Sequence, residues 1–138
     1  QSLAAVLEER VAGVEAGLER IRQRLPEVRE AFRSRLEERL GELSQRVDPD
    51  RLEQEVILQV QRADVDEELD RLATHTAEVR RVLQEGGAVG RRLDFLMQEM
   101  NRETNTIGSK SPDTTISQTV VDLKVLVEQL REQAQNIE

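Results

Sequence analysis

The sequence lacks the residue types on which several common kinds of site depend. Its 138 residues include no cysteine, no tryptophan and no tyrosine, and two phenylalanines. The absence of cysteine excludes disulfides, thiolate metal sites and a cysteine nucleophile, and the scarcity of aromatic residues removes base-stacking platforms. No apolar run approaches the roughly 20 residues of a membrane span, and no signal peptide is recognisable. We therefore expect neither a membrane protein nor a secreted one.

Charged residues are abundant and acidic ones predominate. The formal net charge is −8, with a pI of about 4.9. This balance argues against a nucleic-acid binder, because phosphate contacts dominate such affinity, although a local basic patch or a bound metal can override it. The composition, rich in Leu, Val, Glu, Arg and Gln, is typical of long helices.

The first third of the chain predicts one long helix with a coiled-coil-like apolar seam. Ser2 is a plausible N-cap. The apolar residues then recur with alternating gaps of four and three, which is the spacing of bundle or coiled-coil packing: Leu7, Val11, Val14, Leu18, Ile21, Leu25, Val28 and Phe32. Since proline removes a helix hydrogen bond, we expect a kink or short break at Pro26. We predict an N-terminal helical arm at 1–47, whose seam is most simply covered by oligomerisation.

The remainder predicts three more helices in a C-terminal helical domain at 48–138. Asp48 and Pro49 are the capping and first residues of a second helix that runs to Glu85 and ends at the glycine pair 86–87. A third helix follows at 88–107, and a fourth starts with Ser111 as N-cap. No strand pattern is present. The predicted fold class is all-α, with long antiparallel helices in a bundle or coiled-coil-like arrangement.

One cluster of titratable residues surrounds the single histidine. His75 lies at the edge of the second helix's seam, with Glu68 seven residues before it and Glu78 three residues after it. This grouping suits metal binding or acid–base chemistry, but also a histidine that simply bonds a neighbouring glutamate. The acidic run before it is either a solvated helix face or a set of oxygen ligands for Mg²⁺ or Mn²⁺; it comprises Asp64, Asp66, Glu67, Glu68 and Asp70.

The third helix has an unusual polar face. Asp94, Gln98, Asn101 and Asn105 share one face at helical spacing, although Asn and Asp are poor helix formers, so we expect this face to contact a specific partner. Guanidinium groups near it suit phosphate recognition, or else form salt bridges of little consequence for stability.

Three stretches resemble the YicC/YloC-like family of bacterial proteins. They are RRLDFLMQEMNRETNTIGSKS at 91–111, the stretch DVDEELDRLxxH that ends at His75, and the ending DLKVLVEQLREQAQNIE. The resemblance implies a cytoplasmic endoribonuclease that depends on Mn²⁺ or Mg²⁺ and assembles as a ring-like homo-oligomer. Family members carry a further N-terminal domain, so we expect this chain, which begins at Gln1 without a methionine, to be the C-terminal helical portion.

The resemblance also implies roles for particular residues. The implied catalytic residues are His75, Glu68 and Glu99. The implied metal ligands are Glu67, Glu68, His75, Asp94, Glu99 and Glu103. The residues implied to contact RNA are Arg91, Arg92, Asn101, Arg102 and Lys110. This interpretation predicts that His75 lies near Glu99 or Asp94. The alternative, a non-catalytic helical oligomerisation module, predicts that the amide face is buried between subunits.

Overall fold

The computed structural model describes residues 2–42, 48–87 and 89–136. Within these ranges the chain forms five helices and no strand, in the order α1 (Leu3–Glu42), α2 (Pro49–Arg62), α3 (Asp66–Glu85), α4 (Gly90–Lys110) and α5 (Thr114–Ala134). The all-α fold class is therefore confirmed. Among the described residues, no helix combines the length and the apolar character that crossing a membrane requires.

Four of the helices form an antiparallel bundle in which α1 and α4 each lie between α3 and α5. Contacts between the helices fix their directions, since Arg24 of α1 bonds Asp113 just before α5, and His75 of α3 bonds Glu103 of α4. This up-down arrangement lets each helix bury its seam against two neighbours. The predicted seam of α1 supplies part of the buried core, and apolar residues at helical spacing on α3, α4 and α5 supply the rest. The core includes Leu7, Val11, Ile21, Leu69, Leu72, Val79, Leu93, Met100, Ile107, Ile116, Leu123 and Leu130.

The contact between α1 and α5 depends on glycine. A Cβ atom placed on Gly17 would lie 2.5 Å from a Cδ atom of Leu123, and one on Gly13 would lie 3.1 Å from a Cδ atom of Leu126. Because both glycines lack a side chain, the backbone of α1 lies close to the leucines of α5. The result is a dry, closely packed interface at this side of the bundle.

The helix starts that we predicted from capping residues are largely confirmed. The Ser2 hydroxyl accepts a hydrogen bond from the backbone N–H of Ala5, and Asp48 accepts one from Asp50, with Pro49 as the first residue of α2. Gly86 ends α3 with a φ of 72°. α1 continues through Pro26 without the short break that we considered. The predicted end of the arm at 47 and the predicted start of the third helix at 88 lie outside the described residues.

The prediction of a single second helix over 49–85 is wrong. The chain leaves helix at Ala63 and re-enters it at Asp66, so α2 and α3 are separate. The reason is local: the Asp64 carboxylate accepts a hydrogen bond from the backbone N–H of Asp66 at 2.9 Å, in competition with the helical pattern. Val65, which follows Asp64, is fully buried in the core, so the break redirects the chain into the bundle.

The last two helices are shifted from their predicted bounds. α4 extends to Lys110, beyond the predicted end at Ile107, and α5 begins at Thr114. Ser111 follows the end of α4 and does not cap α5. Asp113 is the N-cap of α5, because its carboxylate accepts a hydrogen bond from the backbone N–H of Ile116 at 3.1 Å. The predicted N-cap, Ser111, is therefore wrong, and the capping residue lies two positions later.

The C-terminal part of α1 packs on α2 rather than on the bundle. Val56 is the buried apolar residue of α2, whereas its neighbours Ile57 and Leu58 are 48% and 40% exposed. The division into an arm at 1–47 and a domain at 48–138 stays a prediction, but the buried residues of α1 as far as Leu25 belong to the same core as the later helices.

Candidate active site at the interface of α3 and α4

The interface between α3 and α4 contains charged side chains that the rest of the core lacks. Two glutamates are buried there, Glu68 of α3 and Glu103 of α4, each with only 3% of its surface exposed. A buried carboxylate is costly unless it is paired and hydrogen-bonded. Each of the two has a partner across the interface, and the two cross-helix pairs are seven residues apart on both helices, roughly 10 Å along the axis.

The first pair joins the single histidine to a buried carboxylate. The Nδ1 atom of His75 lies 2.8 Å from Oε1 of Glu103. The imidazole side chain is 23% exposed, whereas the carboxylate is almost fully covered. A hydrogen bond at one ring nitrogen fixes the orientation of the ring and the tautomer, and leaves the other nitrogen for proton transfer. The pair therefore has the base-and-orienting-group arrangement that acid–base catalysis uses.

The second pair is an ion pair between Glu68 and Lys110, with 2.6 Å between Oε1 and Nζ. Arg71 approaches the same oxygen at 3.9 Å. The other carboxylate oxygen, Oε2, is buried without a hydrogen-bond partner. Burial alone would raise the pKa of Glu68, but the hydrogen bond and charge of Lys110 hold that pKa below its ordinary value. Glu68 is therefore a buried anion that depends on one lysine.

The expected partners of His75 are not the ones that it bonds. We predicted Glu99 or Asp94, and the structure gives Glu103, one turn further along α4 than Glu99. Glu99 instead lies 3.7 Å from Arg102 of its own helix, and Asp94 bonds Arg131 of α5 at 3.2 Å. Which residue of α4 lies opposite His75 depends on how α3 and α4 align. That alignment cannot be predicted from the spacing of residues along one helix.

The acidic run at the start of α3 is engaged by basic side chains of the bundle. Its five carboxylates have the following partners: Asp64 and Asp66 with Arg29, Glu67 with Arg71, Glu68 with Lys110, and Asp70 with Arg22. Most of these pairs join α3 to α1 or α4, and acidic residues in the first turn of a helix are also favoured by its dipole. The run therefore contributes to the docking of α3 in the bundle.

The implied metal ligands do not converge within the described part of the chain. In the ranges 2–42, 48–87 and 89–136, no three histidine, aspartate or glutamate side chains lie close enough together to hold one ion. His75 and Glu103 provide two donor groups at one point, and Glu68 lies two turns away. Mg²⁺ and Mn²⁺ prefer several oxygen ligands, so this donor set does not fit a metal by itself.

The five residues implied to contact RNA separate into two groups. Arg92 and Lys110 are held by acids of α3, because Arg92 lies 3.2 Å from Glu78 and Lys110 bonds Glu68. Arg91, Asn101 and Arg102 are exposed on the outside of α4. The first group takes part in packing, and the second is accessible to a ligand.

From the sequence we predicted Glu103 as a metal ligand and Lys110 as an RNA contact. We did not predict that each forms a pair with a residue of α3. A signal was present in the spacing, since Leu96, Glu103 and Lys110 are seven residues apart and Leu96 is a seam residue. A carboxylate at a seam position predicts a buried partner on another helix. The partner itself could not be read from the spacing, because it depends on how α3 and α4 align.

Comparison with known proteins assigns this bundle to a family. The model of the family "Endoribonuclease YicC-like, C-terminal" matches residues 21–138. A protein of Haemophilus influenzae, described as a probable endoribonuclease YicC, is 46% identical over 138 residues, which is 100% of this chain and 48% of that protein. A protein of Clostridioides difficile with the same description is 41% identical over 124 residues, 88% of this chain and 42% of its own length.

The chain thus spans about half the length of the curated relatives that it matches. The quoted motifs, the helical fold and the family match agree with one another. This chain belongs to the YicC-like endoribonuclease family, of which it contains the C-terminal domain.

Proposed function

We propose that this chain is the C-terminal half of a cytoplasmic endoribonuclease that cleaves RNA phosphodiester bonds, and that His75 transfers a proton in the reaction. The observation that supports this role is the bond between His75 and the buried carboxylate of Glu103. Exposure of the imidazole leaves it accessible, while the carboxylate is covered and its position is fixed by packing. Correct orientation of a catalytic base is a requirement for efficient proton transfer.

The proposed step uses the 2′-hydroxyl of RNA as the nucleophile. The Nε2 atom of His75 accepts the hydroxyl proton as the O2′–P bond forms, and the P–O5′ bond breaks. The departing 5′ oxygen takes a proton from water, and the hydroxide that remains takes the proton of the His75 imidazolium. The products are a 2′,3′-cyclic phosphate and a 5′-hydroxyl, and the neutral imidazole is restored. Glu103 acts as a positioning residue, because its carboxylate stabilises the imidazolium and holds the ring, as the acid of a catalytic triad does.

Metal dependence is a separate part of the proposal. We propose that the whole protein requires Mn²⁺ or Mg²⁺, which the family resemblance implies. Since the donor groups of this chain do not make a complete site, no step above passes through a metal. We also propose that the active protein is a homo-oligomer, which the exposed Ile57 and Leu58 on α2 support.

The test is cleavage of single-stranded RNA by the full-length protein and its variants. His75→Ala should lower kcat by about 10²- to 10⁴-fold. Glu103→Gln should lower kcat less and leave KM unchanged, with partial recovery in Glu103→Asp. Glu128→Gln on α5, which changes an exposed carboxylate, should have no effect. Undiminished cleavage by His75→Ala, or loss in Glu99→Gln without loss in Glu103→Gln, would overturn this assignment.

Three further measurements separate the parts of the proposal. An RNA with a single 2′-deoxy nucleotide at the cleavage site should resist cleavage; if it is cut, water is the nucleophile. EDTA should abolish cleavage and Mn²⁺ or Mg²⁺ should restore it, and full activity in EDTA would remove the metal from the proposal. Sedimentation of the full-length protein tests the homo-oligomer.

A further inference from the structure

The outward face of α4 carries a stripe of side chains without any acid. Six exposed residues follow one another at gaps of four and three, so that they lie in one line along the helix. They are Arg91, Phe95, Gln98, Arg102, Asn105 and Ser109. We call this line the acid-free stripe. From its first to its last residue it covers about 27 Å at the rise of an α-helix.

The charge of α4 differs from that of the other helices. Among the described helices, α4 is the one in which basic side chains outnumber acidic ones, four to three. One of its acids, Glu103, is buried, and another, Asp94, is bound to Arg131 and Gln98. The acid-free stripe itself carries two arginines and no carboxylate, in a chain whose net charge is −8.

The two arginines of the stripe are available for a ligand. Among the described residues, no carboxylate lies within ion-pair distance of Arg91. Arg102 is 75% exposed, and its contact with Glu99 is a loose one at 3.7 Å. By contrast, Arg80, Arg81 and Arg92 are each bound to glutamates. Donors that are not already paired are suited to phosphate oxygens.

Phe95 is exposed at the same face. Its surface is 59% exposed, although burial of a phenylalanine side chain is favourable. It lies one turn after Arg91 and borders an open groove of about 630 Å³ between α4 and the end of α5. Arg91 and Gln98 line this groove, and so does Asp94, whose carboxylate is bound to Gln98 and Arg131. An accessible aromatic ring beside cationic and amide donors is the combination that stacks a base and binds its phosphate.

We propose that the acid-free stripe binds single-stranded RNA, with Phe95 stacking on a base and Arg91 and Arg102 contacting phosphates. The proposal rests on the proposed function, and it identifies an RNA-contacting residue, Phe95, that the sequence did not indicate. Arg102 directly precedes Glu103, the partner of His75. Successive residues of a helix project about 100° apart, so the stripe lies on a different face of α4 from Glu103, and we propose it as a binding surface and not as part of the catalytic pair.

The test measures binding separately from cleavage. The full-length protein with His75→Ala is titrated into a fluorescent oligouridylate of about 12 nucleotides, and the integrity of the RNA is checked on a gel. Phe95→Ala should weaken binding on the order of tenfold to a hundredfold. Arg91→Gln and Arg102→Gln should each weaken binding and reduce the slope of log affinity against log salt by about 0.7.

Matched controls are available on other faces. Val121 of α5 is 59% exposed, as Phe95 is, and Arg20 of α1 is an exposed arginine. Val121→Ala and Arg20→Gln should leave the affinity unchanged. Thermal unfolding of each variant checks that the fold is retained, which is expected because all the changed residues are exposed.

Two results would overturn the proposal. One is an unchanged affinity in Phe95→Ala together with an unchanged salt slope in both arginine variants. The other is a change in oligomeric state on sedimentation with RNA affinity retained, since the stripe would then be a contact between copies of the protein. Because binding is measured without turnover, failure of the stripe is distinguishable from failure of His75 as the catalytic base.

Discussion

Two interfaces of the bundle follow the same heptad-like spacing but bury different kinds of side chain. The interface of α1 with α5 is apolar and close, with Gly13 and Gly17 placed against leucine side chains. The interface of α3 with α4 has apolar residues at the same spacing but also encloses Glu68 and Glu103. A buried ion pair often contributes less to stability than apolar residues of the same size would.

The difference indicates where stability and chemistry reside. Apolar burial dominates the α1/α5 interface, and its charged contact, between Arg24 and Asp113, lies at the start of α5. The α3/α4 interface retains carboxylates that a purely structural bundle would not need, and one of them orients the single histidine. Perturbing each interface in turn should therefore affect different properties.

The largest effect on stability is expected at the apolar interface. Leu123→Ala removes a fully buried side chain against Gly17 and should lower the free energy of unfolding by about 2–5 kcal/mol. Leu126→Ala, at the half-buried neighbour, should cost less because less of the side chain is covered. Urea unfolding followed by circular dichroism measures both. If Leu123→Ala lowered the free energy of unfolding no more than Leu126→Ala does, the close contact described between α1 and α5 would be contradicted.

The next largest effect is expected at the buried ion pair. Lys110→Met leaves the Glu68 carboxylate buried without its cation and should lower the free energy of unfolding by about 1–3 kcal/mol at neutral pH. The double variant Glu68→Leu/Lys110→Met should recover most or all of that loss, because both charges are gone. A double variant no more stable than the single one would contradict the ion-pair explanation.

The free energy of unfolding of the parent protein and that of Lys110→Met should change in opposite directions with pH. In the parent protein the pKa of Glu68 is lowered on folding, so its stabilising contribution is present above its unfolded pKa of about 4.5 and is lost as pH falls through the folded pKa. Without Lys110, burial raises that pKa, so the destabilisation is greatest at neutral pH and diminishes as pH falls. Unfolding curves at several pH values from about 3 to 7 measure the change of sign, because the parent protein loses this contribution below the unfolded pKa.

The smallest effect is expected where α1 and α5 meet through polar groups. Asp113 caps α5 and also bonds Arg24 of α1 at 3.1 and 3.2 Å. Asp113→Ala should cost about 0.5–2 kcal/mol, and Asp113→Asn, which keeps a capping oxygen, should cost less.

The charge at this position can be measured separately from the cap. Hydrogen bonding to Arg24 holds the pKa of Asp113 below its usual range, so this part of its contribution is present above the unfolded pKa and is lost as pH falls through the folded one. Both Asp113→Asn and Arg24→Gln should therefore reduce the loss of unfolding free energy that occurs at acidic pH. Different pH profiles for those two variants would contradict the pairing.

Much of the fold could be predicted because it is local. Helix formation follows from apolar residues at helical spacing. The helix starts at Ser2 and Asp48, and the helix end at the glycine pair 86–87, follow from capping chemistry. The break before α3 was missed because the apolar spacing alone continues through Val65. What ends the helix is the competing hydrogen bond of the Asp64 side chain together with burial of Val65 in a core formed by distant helices.

The site was predictable only in its composition. His75 and the carboxylates around it could be selected from the sequence, since residues with titratable side chains near a seam are few. Their pairing could not, because an alignment of α3 with α4 shifted by one turn would place a different residue opposite His75. The same applies to Phe95, whose exposure depends on which face of α4 the other helices cover.

The sequence by itself determined that this chain is helical, which residues face the core and which family it belongs to. Periodicity and capping act within a few residues, so each segment contains that information. The tertiary structure decided that Glu103 holds His75, that Lys110 neutralises Glu68 and that the acid-free stripe faces outward. These results depend on the relative position of separate helices, which is fixed when the whole bundle packs its seams together.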